Sequence, residues 1–217
     1  MRIGVLALQG AFAAHVEALR RLGAPTSVVR STAELSDVDA LVLPGGESTT
    51  MCNLLARSDL GDAIRRRLSE GMPAFGTCAG MILLADDVVD GRADQSGFGA
   101  LDITVRRNGY GRQVDSFETD LVVRGIDEGA NGGSYHAVFI RAPIVERVGD
   151  SVEILAVDPS GRPALVRRGN VLACSFHPEL TGDDRIHRLF LDSVITGCGS
   201  TVGGSADDEP TVVERRR

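Results

Sequence analysis

Pro73-Ala74-Phe75-Gly76-Thr77-Cys78-Ala79-Gly80-Met81-Ile82-Leu83-Leu84-Ala85 is the stretch on which the fold turns. An apolar run breaks at Gly-x-Cys-x-Gly, and a second apolar run follows at once. The spacing predicts a strand over 73–77 and a helix opening at 79, with Cys78 at the bend. Flanking glycines suit a sharp strand-to-helix turn, because side chains there would clash with a central residue held in a strained conformation. The pattern is that of a nucleophile elbow with Cys in place of Ser. Such an elbow stands at the carboxyl end of a sheet, where open α/β folds bind ligands. A helix N-terminus also favours thiolate over thiol. Five residues alone do not separate this reading from a buried cysteine in a glycine-rich turn.

Working outward, Ile3–Leu8 is apolar without polar alternation, as in a strand buried on both faces. Ala11–Leu22 follows with Phe12, Val16, Leu19 and Leu22 at helical spacing, and Gly23 stands at the stop. Ser27–Val29 and Ala40–Leu43 are further strands, and Thr49–Ala56 and Leu60–Glu70 carry helical patterns. This alternation predicts an α/β domain with a mostly parallel central sheet and helices on both faces. After Gly97 the runs shorten: Leu101–Val105, Asp120–Val123, Ala137–Ile140, Val152–Val157, Ala164–Val166 and Val171–Ser175. Some of these are expected to be antiparallel extensions of the sheet. Arg185–Ile195 reads as a closing helix, with Ile186, Leu189, Phe190 and Val194 on one face. The folded domain is thus expected over 1–197. The Gly-, Ser-, Thr-, Asp- and Arg-rich stretch 198–217 has little to bury and is expected to be a disordered tail.

With 217 residues, 43% hydrophobic and 24% charged, the chain can bury one ordinary core. Trp is absent and aromatics make up 4%, so Val, Leu, Ile and Ala must fill that core. A formal net charge of −7 argues against a broad nucleic-acid or anionic-membrane surface. No stretch approaches the roughly 20 apolar residues of a membrane span, and the start shows no signal peptide. Cys52, Cys78, Cys174 and Cys198 have neither CxxC spacing nor disulfide-framework density, which predicts a reduced, cytoplasmic protein without structural metal.

A nucleophilic cysteine needs a base, and the chain has four histidines. His15 falls on what reads as the polar side of the first helix. His136 sits in a glycine-rich loop, and His187 lies beside charged residues on the last helix. His177 instead ends an apolar strand, in Ser175-Phe176-His177-Pro178-Glu179, at the rim where Cys78 would stand if the strands are parallel. Pro178 favours an extended path at His177. Glu179, two residues on, would then point the same way and fix the imidazole as the acid of a catalytic triad does. Leu43-Pro44-Gly45-Gly46-Glu47-Ser48-Thr49 is a third strand end. Its glycines expose backbone N–H groups suited to an oxyanion, while Ser48 or Thr49 could cap the next helix.

Together these segments resemble the class I glutamine amidotransferases, the glutaminases with a Cys-His-Glu triad. Gly4–Ala11 (GVLALQGA), Leu43–Met51 (LPGGESTTM), Phe75–Gly80 (FGTCAG), Arg107–Phe117 (RNGYGRQVDSF), Val138–Pro143 (VFIRAP) and Cys174–Leu180 (CSFHPEL) are most similar to the branch serving pyridoxal 5′-phosphate synthase. The resemblance implies a flavodoxin-like domain in which Cys78 attacks the glutamine amide, His177 serves as base and acid, and Glu179 orients it. It further implies an oxyanion hole from the backbone of Gly46 and Ala79, and a glutamine site lined by Gly46, Glu47, Ser48, Arg107, Ile140 and Arg141. No cofactor is implied. The implied partner is a (β/α)₈-barrel synthase that receives the ammonia, contacted through Gln9 and Gly10, in an assembly of twelve plus twelve chains. The alternative is a class I glutaminase of another pathway, such as histidine or purine synthesis, which would share the elbow and His-Pro-Glu alone. Two departures from the family pattern are a longer segment at 129–136, ahead of Arg141, and the C-terminal tail.

Overall fold

The computed structural model describes residues 1–90, 97–107, 116–126 and 133–199. In chain order the elements are β1 (Ile3–Leu6), α1 (Phe12–Arg21), β2 (Thr26–Val29), α2 (Thr32–Ser36), β3 (Ala40–Leu43), α3 (Ser48–Ala56), α4 (Leu60–Ser69), β4 (Ala74–Thr77) and α5 (Ala79–Leu84). There follow β5 (Ala85–Val89), β6 (Leu101–Arg106), β7 (Phe117–Val122), β8 (Ser134–Phe139), β9 (Ile144–Val148), β10 (Glu153–Val157), β11 (Pro163–Arg168), β12 (Val171–Cys174), a 3-10 turn at Pro178–Leu180 and α6 (Arg185–Gly199).

The main sheet has the order β10-β11-β12-β4-β3-β1-β2. From β12 to β2 its neighbours run parallel, while β10–β11 and β11–β12 pair antiparallel. Every residue of β1, β3, β4 and β12 is buried, which is why these runs show no polar alternation. Side chains nevertheless alternate between two cores. Ile3, Val5, Val42, Phe75, Leu172 and Cys174 pack with α1, α6 and the β7–β8 hairpin. Leu6, Leu41, Leu43, Ala74 and Ala173 pack with α2 to α5 and the small β5–β6–β9 sheet. Burying one side chain such as Phe75 contributes roughly 1.5–3 kcal/mol, so the two layers are what hold the rim in place. The architecture is the predicted flavodoxin-like three-layer α/β domain.

Three elements differ from the sequence reading. The strands β5 and β9 and the short helix α2 were not anticipated. Asp86 and Asp87 lie exposed inside β5, and Glu146 and Arg147 inside β9, so their polarity hides the strand pattern. Of the late strands, β12 joins the main sheet in parallel and β10 and β11 extend it antiparallel, whereas β6 to β9 build, with β5, the two separate sheets. The last helix runs on to Gly199. The rest of the expected tail, the segment 129–132 and residues 108–115 of the Arg107–Phe117 segment lie outside the described residues. Among the described residues no helix is long and apolar enough to cross a membrane, and no group of three His, Cys, Asp or Glu could hold a metal ion.

Candidate active site

Cys78 sits between β4 and α5 with φ 49° and ψ −104°. The flanking glycines are a steric requirement. A Cβ on Gly80 would lie 1.9 Å from the carbonyl oxygen of Leu43, and one on Gly76 would lie 2.6 Å from the Gly80 carbonyl. Helix α5 is therefore pressed directly onto the ends of β3 and β4. All six of its residues are buried, which offsets a backbone strain of order 1–3 kcal/mol at Cys78. The Cys78 N–H donates to the Cys174 carbonyl at 2.8 Å and ties the elbow to β12.

The neighbouring strand brings up the candidate base. Cys174 pairs with Thr77 in the parallel β12–β4 register, so the chain carries His177 past the same rim that Cys78 occupies. The His177 N–H donates to the Val138 carbonyl at 2.9 Å, and the His177 Nδ1 lies 2.8 Å from Glu179 Oε1. The sequence reading expected this contact from an extended path. Instead Pro178 opens a 3-10 turn that folds Glu179 back onto the ring. Burial opposes charge on His177, but hydrogen bonding to Cys78 and Glu179 and their negative charge prevail, and its pKa is pushed up to about 10. Burial likewise opposes ionisation of Glu179, yet the hydrogen bond from His177 holds its pKa below the usual carboxylate value. The arrangement suits a Cys–His–Glu proton relay.

The Gly45–Gly46 turn completes the rim. Glu47, not Ser48 or Thr49, caps α3: its carboxylate accepts from the Thr49 and Thr50 N–H groups at 3.0 and 2.7 Å. Ser48 instead opens the helix and is buried. Arg107 reaches Glu47 at 3.3 Å, and the Glu47 N–H donates to Gln9 Oε1 at 2.8 Å. Burial opposes ionisation of Glu47, but hydrogen bonds from Thr50 and Thr49 outweigh it and lower its pKa to about 2.

Cys78 and His177 face a cavity of about 180 Å³ lined by Gly46, Glu47, Ser48, Ala79, Ile82, Arg107, Ile140 and Arg141. That volume is below the roughly 300 Å³ at which drug-sized pockets begin, so its ligand is small. Two guanidinium groups and one carboxylate beside a thiol suit an amino acid. Three non-glycine residues among those described have positive φ, and two of them, Cys78 and Arg141 (φ 46°), line this cavity. Backbone strain has collected at this cavity, as it does at functional sites. Every residue singled out for catalysis, the oxyanion or glutamine borders the cavity except Glu179, which lies behind His177. Gln9 and Gly10 stay outside and touch the Gly45–Glu47 turn.

Sequence reasoning placed His15 and His136 poorly. His15 is fully buried, not solvated: it shares an i, i+4, i+7 stripe with Leu19 and Leu22, which the polar neighbours obscured. It lies 2.9 Å from His187, also fully buried, and 3.2 Å from the hydroxyl of Thr77. Phe75 packs edge-on against both rings. His136 is in β8 instead of a loop, and pairs on the surface with Glu118 and Asp120. Ile82 and Thr77 were also missed. The signal for Thr77 was available, because strand alternation puts it on the same face as Phe75.

A cysteine on a strand-to-helix elbow, a His–Glu pair leaving the adjacent parallel strand and a glycine turn on the next one define a triad glutamine amidotransferase. Comparison with known proteins agrees, since residues 5–196 match the SNO glutamine amidotransferase family. The chain belongs to that family. It is 57% identical over 204 residues to the pyridoxal 5′-phosphate synthase subunit PdxT of Parafrankia sp. (strain EAN1pec), covering 94% of this chain and 98% of the relative. It is 55% identical over 215 residues to the PdxT of Nocardia farcinica (strain IFM 10152), covering 96% and 93%. A crystal structure of a glutamine amidotransferase superposes with a TM-score of 0.81 at 50% identity, covering 88% of this chain and 98% of its own. A chain in the structure of PurLQS from Thermotoga maritima shares the fold alone, at TM-score 0.64 and 21% identity over 91% of this chain and 98% of its own.

Proposed function

We propose that this chain is the glutaminase subunit of a pyridoxal 5′-phosphate synthase, releasing ammonia from L-glutamine through Cys78, His177 and Glu179. The observation that carries the reading is the 2.8 Å contact between His177 and Glu179, set beside an elbow cysteine in one small cavity. The identity to PdxT relatives over nearly the whole chain favours this pathway over histidine or purine synthesis.

In the reaction, the Cys78 sulfur bonds to the side-chain amide carbon of glutamine. The thiol proton passes to His177, and the carbonyl oxygen becomes an oxyanion held by the N–H groups of Gly46 and Ala79. The Ala79 N–H lies in the first turn of α5, where no earlier helical carbonyl takes it. His177 then protonates the leaving nitrogen, the carbon–nitrogen bond breaks, and ammonia departs from a γ-glutamyl thioester. Water attacks that thioester with His177 as base, freeing glutamate and restoring the thiol. Arg107 and Arg141 suit the α-carboxylate, since a guanidinium fork matches its geometry. Glu47, kept ionised by its cap, suits the α-ammonium, with Ser48 and Ile140 completing the wall.

A synthase subunit is the partner, and we take it to be a (β/α)₈ barrel in a cytoplasmic assembly of twelve plus twelve, docked through Gln9 and Gly10. The test is glutamate release by Cys78→Ala in the presence of the synthase. Loss of turnover is the expected result; full turnover would sink the mechanism.

A further inference from the structure

Glu179 has two carboxylate oxygens, and only Oε1 serves His177. Oε2 is fully buried, has no well-aligned donor among the described residues, and faces Nε2 of His15 at 3.4 Å. The same Nε2 is 3.2 Å from Thr77 Oγ1, which accepts the Gly45 N–H at 3.0 Å. On its other edge, His15 Nδ1 lies 2.9 Å from His187 Nε2, and His187 Nδ1 has no partner among the described residues.

The proton positions follow from these contacts. If His15 carried its proton on Nδ1, its Nε2 lone pair would face a carboxylate oxygen, and His187 would bury an unpaired N–H. With the proton on His15 Nε2, the imidazole donates to Thr77 Oγ1 with its N–H beside Glu179 Oε2, accepts from His187 Nε2–H, and leaves only a lone pair on His187 Nδ1. Burial, the largest influence, keeps both rings neutral, since it pushes His15 down to about 4 and His187 to about 3. The titratable groups facing them are Glu179, His177, Asp184 and Arg21.

We propose that His15 is a positioning residue for the triad: its Nε2 edge, hydrogen-bonded to Thr77 and 3.4 Å from the outer oxygen of Glu179, faces that carboxylate with a positive N–H dipole, and through Thr77 it couples the carboxylate to the Gly45 turn. The inference rests on the glutaminase reading above. It extends the triad by one neutral imidazole carried on α1, an element with no residue in the cavity.

The test compares His15→Leu, His15→Gln and His15→Asn in the complex with the synthase partner. Each is read by kcat and KM for glutamine, by the pH profile of kcat/KM, and by the rate of iodoacetamide alkylation at Cys78. The Gln amide nitrogen can reach the place of Nε2, whereas the Asn amide reaches only that of Nδ1. His15→Leu should lower kcat about 10- to 100-fold, the scale of removing one polar group from beside a buried charge. Its KM should stay within about twofold, because the substrate contacts are untouched. The acidic limb of the profile and of Cys78 alkylation should move to higher pH, since Glu179 without that N–H dipole is more readily protonated. His15→Gln should recover most of the loss and His15→Asn should not. Thermal melting of each variant separates misfolding from mispositioning, and if the Leu variant does not fold, the Gln–Asn contrast decides. Equal behaviour of Gln and Asn, or an unmoved alkylation profile, would overturn the proposal. Turnover that survives Cys78→Ala, run alongside, would instead defeat the glutaminase reading, while the alkylation profiles would still report on His15.

Discussion

Replacing Glu179 by Gln removes one charge and leaves the shape of the triad almost unchanged. The side chain is fully buried and its Oε1 meets His177 Nδ1 at 2.8 Å, so solvent screens little of the interaction. At an effective dielectric constant of about 20, unit charges about 4 Å apart interact by about 4 kcal/mol. A Gln oxygen keeps part of this as a neutral hydrogen bond of roughly 1 kcal/mol. The imidazolium formed on proton transfer should therefore lose about 2–3 kcal/mol, or roughly 30- to 150-fold in kcat. The pKa of His177 should fall, because the charge of Glu179 is among the influences that raise it. Glutamate release measured with the synthase present gives the rate, and the pH dependence of Cys78 alkylation reports the ion pair. A kcat within about threefold of the native value, with an unmoved alkylation profile, would refute the electrostatic role of Glu179.

Arg141→Ala should raise the KM for glutamine about tenfold, the scale of a partly exposed charge-assisted hydrogen bond, and change kcat less. An unchanged KM would remove Arg141 from the substrate site. Stability should also depend on acid. His15 and His187 have folded pKa values lowered to about 4 and 3, against about 6.5 unfolded. Below pH 6.5 the unfolded chain binds protons that the folded chain refuses, so stability is fully present above that pH and falls as pH drops toward 4. Together they should cost about 2–4 kcal/mol between pH 7 and pH 5, read from urea unfolding. His187→Phe should remove about half of that loss; a flat profile in the native chain would contradict neutral burial of the pair.

The legible features were those written in local pattern. Doubly apolar strands, glycines at sharp turns and a histidine at a strand end each announce themselves within a few residues, and they sufficed for the sheet and the rim. The missed features depend on longer periods or on less usual solutions. His15 becomes a core position only when Leu19 and Leu22 are read with it, and nothing local says that its partner is His187, on the last helix. Glu47 as a cap was obscured because Ser and Thr beside it are the commoner choice. The contact of Glu179 was foreseen and its route was not, since nothing local shows that the chain turns at Pro178 instead of running on extended from His177. The strands β5 and β9 carry charges on faces that only the finished packing reveals as solvent.

The order of the sheet explains why these scattered segments make one site. Reading β12, β4, β3 and β1 across the sheet gives neighbouring parallel strands. The segments at their carboxyl ends give, in the same order, His177, the proposed base, Cys78, the proposed nucleophile, the Gly45–Gly46 turn proposed for the oxyanion, and the Gln9–Gly10 loop. Parallel pairing at about 4.8 Å spacing sets these side by side without regard to their distance in sequence. Each step is also bonded to the next: Cys78 N–H to the Cys174 carbonyl, Gly45 N–H to the Thr77 hydroxyl, and Glu47 N–H to Gln9 Oε1. Hydrogen bonds thus run from the Gln9 loop to the Gly45–Gly46 turn, and from that turn through Thr77 to His15. Helix α1, which carries His15, begins just beyond that loop, so the loop reaches the triad both along the rim and from beneath it.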